Sequence, residues 1–322
     1  MARYCIGVDL GGTFIKFGLL DQDYKPSKTF QLTTPETSAD DIVAQMVVGA
    51  KKAMEEHGLK KKDIVGVGVG APGPMKISEG IIIASPNLPT IRDFPMARKV
   101  ADGVGLPTVL ENDANAAGFG EYVAGAGKGG EDMVLLTLGT GLGGGIVING
   151  KVLHGAHEIG AEIGHLIVEP DGEPCGCGQR GCLERYASAT FMAQFAERVL
   201  KAGGTPSKLK AVLDAKGELD AKDINEARKA GDDLAAEVWD RSCYYLALGC
   251  VSISRLLDPE LIVLAGGLIK AGDDLLKPVQ AHFRKHHWKL TDVKTRIAFS
   301  TLGTDAGVIG AAGVAWAELG KN

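Results

Sequence analysis

The chain has 322 residues, 45% of them hydrophobic and 23% charged, which is globular composition with room for two domains and a sizeable core. Lys and Arg total 35 against 40 for Asp and Glu, a formal charge of −5 that speaks against nonspecific nucleic-acid binding and against a basic membrane-surface protein. No apolar run reaches the roughly 18 residues of a membrane span, and the opening run is broken by Asp9, a strand pattern and not a signal peptide. A cytoplasmic protein is expected. The 45 glycines are the unusual feature, and they sit inside apolar runs, where glycine marks tight turns or close backbone approach.

In chain order, Tyr4–Leu10 and Phe14–Asp21 read as strands joined by the turn Gly11-Gly12-Thr13. A third strand is expected over 28–33, and a helix over 38–57 with Ile42, Met46, Ala50 and Met54 spaced on one face. Residues 64–70 form a short buried strand of alternating Val and Gly. A strand at Ile81–Ala84, a helix at 95–104, a strand at Thr108–Asn112 and a helix at 114–124 follow. Met133–Leu138 then opens a second strand–glycine–strand unit, with a turn through 139–145 and a strand at 146–148, a weak internal repeat of the first. From Tyr186 the pattern is mainly helical, with a long helix over 232–257, a strand at Leu261–Ala265 ending in Gly266-Gly267, a strand at 296–301 and a last helix over 305–319. The pattern predicts an α/β protein with two related domains around a cleft: a small one of residues 1–115 plus 305–322, and a large one of residues 116–304.

Gly139-Thr-Gly-Leu-Gly-Gly144 matches GxGxxG, but a strand and not a helix follows, and no GxxxxGK[ST] occurs; both standard nucleotide-loop readings fail. Two hairpins with glycine turns can instead aim backbone N–H groups and a Thr hydroxyl at phosphates, because no Cβ holds the anion away. Asp9, just before the first turn, is placed to hold Mg2+ directly or through water, and Lys16 to add positive charge. Asn112 and Asp113 stand where an apolar strand gives way to a helix. Helix capping accounts for either alone, but together at a strand end they sit where α/β sheets carry ligand groups. A carboxylate there can accept the proton of a hydroxyl attacking phosphorus, so Asp113 is the expected catalytic base.

Cys175, Cys177 and Cys182 lie on a loop interleaved with glycines, and His165 lies ten residues before them. Three thiolates and one imidazole make a closed, structural zinc site. His154 and His157 are weaker alternatives for the fourth ligand.

The segments Asp9-Leu-Gly-Gly-Thr13 with Lys16, Pro86-Asn87-Leu88, Glu111-Asn-Asp-Ala-Asn115, Leu138-Gly-Thr-Gly-Leu-Gly-Gly144, Glu162-Ile-Gly-His165, the run 175–184 and Ala265-Gly-Gly267 cover nearly the whole chain in order. With them the sequence resembles the ROK family of bacterial sugar kinases and related repressors, its glucokinases in particular. The resemblance implies an actin-like ATPase fold of two ribonuclease-H-like domains that close over sugar and ATP, and phosphorylation of a hexose 6-hydroxyl. It implies Asp113 as the base, Asn87, Asn112, Asp113, Glu162, His165 and Glu184 as sugar contacts, and zinc on His165, Cys175, Cys177 and Cys182. The resemblance further implies that the zinc-bound His also touches the sugar. Gly11, Gly12, Thr13, Thr140 and Gly141 would surround the phosphates, with Gly266 and Gly267 near the adenosine. The partners implied are glucose or a related hexose and ATP with Mg2+, in a homodimer or homotetramer. One departure is Ala161, where many members have Gly, and its methyl bears on the shape of the sugar pocket.

Within the resemblance the sugar remains open among glucose, N-acetylmannosamine, N-acetylglucosamine, mannose and fructose, and polyphosphate is an alternative donor. A sugar-responsive repressor is the competing function. Such repressors carry an N-terminal winged-helix segment, whereas here the phosphate hairpin begins at residue 4, so the kinase is expected.

Overall fold

The computed structural model describes residues 3–320, apart from residues 131 and 204. Strand β1 (Tyr4–Leu10) turns through Gly11-Gly12-Thr13 into β2 (Phe14–Asp21), the two pairing antiparallel so that Asp9 faces Lys16. Strand β3 (Phe30–Thr33), two residues shorter than the sequence pattern suggests, pairs with β2. Helix α1 (Ala39–Glu56) starts where the Ser38 Oγ accepts the Asp41 N–H at 3.1 Å, and buries Ile42, Val43, Met46, Ala50, Ala53 and Met54. Next come β4 (Ile64–Ala71), buried throughout, and a small sheet of β5 (Met75–Lys76), β6 (Ile81–Ala84) and β7 (Arg92–Phe94). Helix α2 (Met96–Val104) ends on Gly105 at φ 72°, and β8 (Thr108–Asn112) runs directly into α3 (Asp113–Ala124).

Strands β9 (Met133–Leu138), β10 (Leu142–Ile148) and β11 (Lys151–Val152) follow. The second glycine run is therefore mostly strand: the turn is confined to Gly139–Gly141, and Gly143 to Gly145 lie in β10. A Cβ on Gly145 would come within 2.6 Å of the Ala114 carbonyl oxygen, so this glycine serves packing against the start of α3 and not a turn. The helices are α4 (Glu184–Ala187), α5 (Ala189–Ala202), α6 (Leu209–Lys216), α7 (Ala221–Lys229) and α8 (Asp233–Leu257), the last capped by Asp232 through the Ala235 N–H at 2.8 Å. Strand β12 (Leu261–Ala265), α9 (Asp273–His286), β13 (Arg296–Phe299) and α10 (Ala306–Leu319) complete the chain. A 3-10 turn over Gly267–Ala271 links β12 to α9.

The strand orders are β3-β2-β1-β4-β8 and β11-β10-β9-β12-β13, so the internal repeat legible in the hairpins extends over two whole sheets. In the first, β1, β4 and β8 run parallel, with Asp9, Gly70 and Glu111 level across them at their carboxyl ends. One face packs on α1 and α2, through Ile6, Val8, Ile42, Met46, Val67 and Val100 among others. The other packs on α10, through Cys5, Val65, Val308, Ile309 and Ala312. A Cβ on Gly7 or Gly68 would lie 2.0 or 1.8 Å from the α10 carbonyl oxygens of Val308 and Ala311, which is why this helix can lie so close to the sheet.

Packing divides the chain into two compact units. The first comprises residues 1–135, 145–161 and 300–322, the second residues 136–144 and 162–299. Relative to the boundaries suggested by the sequence, α3, β11 and the segment up to Ala161 go with the first unit, because α3 packs on α10 and β11. Among the described residues no helix is long and apolar enough to cross a membrane.

Candidate active site

In the first unit, the carboxyl ends of β1 and β8 bring Asp9 and Asp113 into electrostatic contact, with Lys16 and Asp305 beside them. Burial, and then the Asp113 charge, push the Asp9 pKa up from 3.8 to about 6, with Lys16 opposing and Asp305 adding to the shift. The Asp9 carboxylate also lies against the first turn of α10, where a Cβ on Gly307 would be 2.7 Å from Oδ2. Lys16 Nζ donates to the Thr304 carbonyl at 2.5 Å and stands 3.6 Å from Asp305 Oδ1. Three carboxylates with one ammonium leave an excess of negative charge that suits a divalent cation, and oxygen donors of this kind fit Mg2+. Asp9 would hold that ion.

The first glycine turn is closed by Gly11 N–H to the Phe14 carbonyl at 3.0 Å, and Thr34 braces it twice, N–H to Thr13 O at 2.9 Å and Oγ1 to Gly11 O at 2.8 Å. Gly12 and Thr13 are exposed, and the Asn87 side chain packs beside Gly12. Asn112 caps α3, its Oδ1 accepting from Ala114 N–H at 2.9 Å and Asn115 N–H at 3.2 Å. Its capping role is therefore real, and its amide nitrogen is the group left to meet a ligand. Asp113 is half-buried as the first residue of α3, with Oδ1 2.8 Å from the Ala114 nitrogen. The structure thus gathers Asp9, Gly11, Gly12, Thr13, Lys16, Asn87, Asn112 and Asp113 around the carboxyl end of one sheet.

In the second unit, Glu184 Oε2 accepts the Leu142 N–H at 2.9 Å, at the end of the Gly139–Gly141 turn, and packs so closely on Gly141 that a Cβ there would be 2.5 Å from it. The 3-10 turn Ile163–His165 seats Gly164 on the Leu142 carbonyl, and Gly266 lies on the backbone of Leu138. The second turn thus carries Thr140 and Gly141, with Glu184 and Gly266 against it; Gly267 follows Gly266, and Glu162 and His165 flank the stretch whose Gly164 seats on Leu142. Thr140, Glu162, Gly266 and Gly267 are exposed there.

His165, Cys175, Cys177 and Cys182 bring their four ligand atoms within 4.8 Å of one another. Cys175 Sγ is 3.6 Å from His165 Nδ1, and Cys177 Sγ is 3.6 Å from Cys182 Sγ. Zn–S bonds of about 2.3 Å and Zn–N bonds of about 2.0–2.1 Å give tetrahedral edges of about 3.5–3.8 Å, so the cluster fits zinc. Burial and the neighbouring thiols push Cys182 up to about 12, so a cation is what lets these sulfurs coexist as thiolates. The alternatives His154 and His157 are not in this group: His154 Nε2 is 2.7 Å from Glu111 Oε2. Zinc here would tie together a loop already pinned by Val168 N–H to the Gly181 carbonyl at 2.8 Å and Leu183 N–H to the Leu166 carbonyl at 2.8 Å. With three thiolates and an imidazole it would leave no open position, so its role is structural.

Two features escaped the sequence. Asp305 and Thr304 engage Lys16 from 288 or more positions away, which no local pattern encodes. Glu111 was visible within its segment, but only its full burial opposite His154 sets it apart from its neighbours.

The ROK family model matches residues 5–318. A glucokinase of Halalkalibacterium halodurans is 40% identical over 96% of this chain and 93% of its own. The crystal structure of a ROK hexokinase from Thermus thermophilus superposes with a TM-score of 0.85 at 30% identity, over the full length of both chains. That of a ROK family glucokinase from Streptomyces griseus, in complex with glucose and AMPPNP, gives 0.77 at 35% identity, over 97% of this chain and 98% of the other. The fold is that of the ROK sugar kinases, the actin-like ATPase arrangement.

Proposed function

We propose, since the chain belongs to the ROK family, that it is an ATP-dependent glucokinase, transferring the γ-phosphoryl group of ATP to the 6-hydroxyl of glucose. The observation that carries this reading is the acidic corner of the first unit, where Asp113 follows a strand end directly beside Asp9 and the braced Gly11–Thr13 turn. Asp113 is assigned as the base. It accepts the proton of the 6-hydroxyl as that oxygen bonds to the γ-phosphorus and the bond to the β,γ-bridging oxygen breaks, releasing ADP.

Gly11, Gly12, Thr13, Thr140 and Gly141 are assigned to the phosphates, where exposed turn amides donate to anionic oxygens. Lys16 adds positive charge on leaving its contacts with Thr304 and Asp305. Gly266 and Gly267 are assigned to the adenosine. Mg2+ bound with the phosphates supplies neutralisation of their charge, and Asp9 would hold it. Asn87, Asn112, Asp113, Glu162, His165 and Glu184 are assigned to the sugar, a ring of hydroxyls that polar side chains recognise by leaving none unpaired. His165 would serve zinc through Nδ1, which leaves Nε2 for a hydroxyl.

A cytoplasmic setting fits an enzyme that consumes ATP, and the family resemblance supports a homodimer or homotetramer. A coupled assay over glucose, N-acetylmannosamine, N-acetylglucosamine, mannose and fructose, with ATP and with polyphosphate, tests the reading. The expected result is ATP-dependent turnover with its highest kcat/KM on glucose. A higher value on N-acetylmannosamine would replace the sugar, and turnover with polyphosphate alone would replace the donor.

A further inference from the structure

Glu111 is a carboxylate at 1% side-chain exposure in the strand that delivers Asp113. Such a group is stable only when its oxygens are well partnered. Oε1 accepts the backbone N–H of Asn112 at 2.8 Å and the side-chain Nδ2 of Asn115 at 3.0 Å. Oε2 meets His154 Nε2 at 2.7 Å. Among the described residues the Asn115 Oδ1 is buried without a hydrogen-bond partner, so the bond to Glu111 is what fixes this amide in the first turn of α3. Glu111 thus grips the residues on both sides of Asp113, and His154 in turn grips Glu111.

His154 opens the segment that ends at Ala161, immediately before Glu162. That segment is held in shape at three points. The His154 side chain is on Glu111, the Gly160 N–H donates to the His154 carbonyl at 2.8 Å, and Glu158 Oε1 accepts the Ser78 N–H at 3.0 Å. Its Glu158 and Ala161 sit at φ 58° and 67°, left-handed conformations that non-glycine residues hold only when their surroundings impose them.

We propose that the Glu111–His154 pair is the positioning element for Asp113: it fixes the β8–α3 junction so that the Asp113 carboxylate is presented in one orientation, and it couples that junction to the segment running into Glu162. The proposal rests on the kinase reading for its catalytic consequence. Both are positioning residues, acting through the junction they hold. The pair lines a cavity of about 820 Å³ together with Tyr122 and Glu318, so Glu111 has space to rotate once His154 is gone. The hydrogen bond to Glu111 first, and the charges of Glu111, Glu318 and Glu158 with it, hold the His154 pKa above its ordinary value against the effect of burial. The imidazole is thereby biased toward the charged form that grips the carboxylate.

His154→Ala removes the partner of a buried carboxylate, while His154→Gln restores a donor of similar reach. Both are compared with the wild type by kcat and KM on the hexose it turns over best, and by amide hydrogen exchange of residues 108–116. The expected result for His154→Ala is a kcat lowered by about tenfold, with the KM for ATP within twofold and faster exchange in that segment. His154→Gln is expected to recover kcat to within threefold. Should His154→Ala fail to accumulate as folded protein, His154→Leu fills the same space without a donor and takes its place. Unchanged exchange over 108–116 overturns the proposal, whether or not the protein phosphorylates glucose. A kcat that stays at the wild-type value, or falls equally in the Gln variant, also overturns it. Absence of any hexose phosphorylation by the wild type overturns the kinase reading instead, and the exchange comparison still decides the positioning claim.

Discussion

Strand order β3-β2-β1-β4-β8 in one sheet and β11-β10-β9-β12-β13 in the other makes position-by-position comparison possible, and the corresponding strand ends carry different chemistry. The first turn, Gly11–Thr13, is braced by a neutral side chain, Thr34, and stands near a crowd of carboxylates. The second, Gly139–Gly141, is braced by a carboxylate, Glu184, in the unit that also holds the thiol cluster. Strand β8 ends on Asn112 and leads into Asp113, whereas its counterpart β13 leads into the uncharged Ser300 and Thr301, and β12, the counterpart of β4, leads into Gly266 and Gly267. One scaffold repeated twice therefore supplies two glycine turns, and the added groups differ. The first sheet accumulates buried negative charge, which costs stability and suits catalysis. The second accumulates ties, which stabilise a binding surface.

The contrast breaks most visibly at Asp113. Asp113→Asn keeps the shape and removes the proposed base, so kcat should fall by about 10²–10⁴. Glucose affinity, measured by calorimetric titration, should stay within threefold, and zinc content should not change. Near-normal turnover would remove Asp113 from its role and leave the acidic corner without a function.

A change on the second side should have the opposite signature. Cys177 is exposed, so on packing grounds alone its loss would alter stability by no more than about 0.5 kcal/mol. As one of the four residues assigned to zinc it matters more: Cys177→Ala should lower the thermal midpoint by roughly 5–10 °C. The KM for glucose should rise through His165. Elemental analysis should find one zinc per wild-type chain. A thermal midpoint and a KM both unmoved by the substitution would mean that the cluster holds no structural ion.

The hairpins, the capped helices α1 and α8 and the cysteine loop were all legible in the sequence, because each rests on local chemistry: alternation, a Ser or Asp at an N-cap, close ligand spacing. Glycine misled where its reason was distant. Gly143 to Gly145 suggest a turn by composition, yet they lie in β10, since Gly145 must admit the Ala114 carbonyl from α3. The candidate site residues were visible as types, while the order among them was not. Nothing local tells that Glu111 is buried on His154, or that Lys16 is held by Thr304 and Asp305 at the other end of the chain.

The charge load of the first sheet has a measurable pH signature. With its pKa raised to about 6, Asp9 binds its proton more tightly in the folded protein than in the unfolded chain. Its contribution to stability is therefore complete below the ordinary value of 3.8 and is lost as pH rises through about 6. At pH 7, without Mg2+ and nucleotide, the ionised carboxylate destabilises the fold by roughly 2–3 kcal/mol. Asp9→Asn should recover about that much in denaturant unfolding at pH 7, show no gain at pH 3.5, and lose most activity. An equal effect at both pH values would locate the change in packing and not in charge.

The smallest effect lies in the segment that leads from the first unit toward Glu162. Ala161 is held at φ 67°, a conformation that costs an L-residue roughly 1–2 kcal/mol and glycine almost nothing. Ala161→Gly also loosens the unfolded chain, which offsets about 0.4–1 kcal/mol of that gain. The net expectation is a protein more stable by about 0.5–1 kcal/mol, a rise of about 2 °C in the thermal midpoint. A midpoint that falls would mean that the Ala161 methyl contributes packing worth more than its backbone strain. In that case the methyl belongs with the shape of the proposed sugar site, and the ratio of kcat/KM for glucose to that for N-acetylmannosamine should shift in the same variant. If the midpoint rises and the ratio is constant, the alanine is tolerated strain, carried by the contacts that His154, Glu158 and Gly160 make around it.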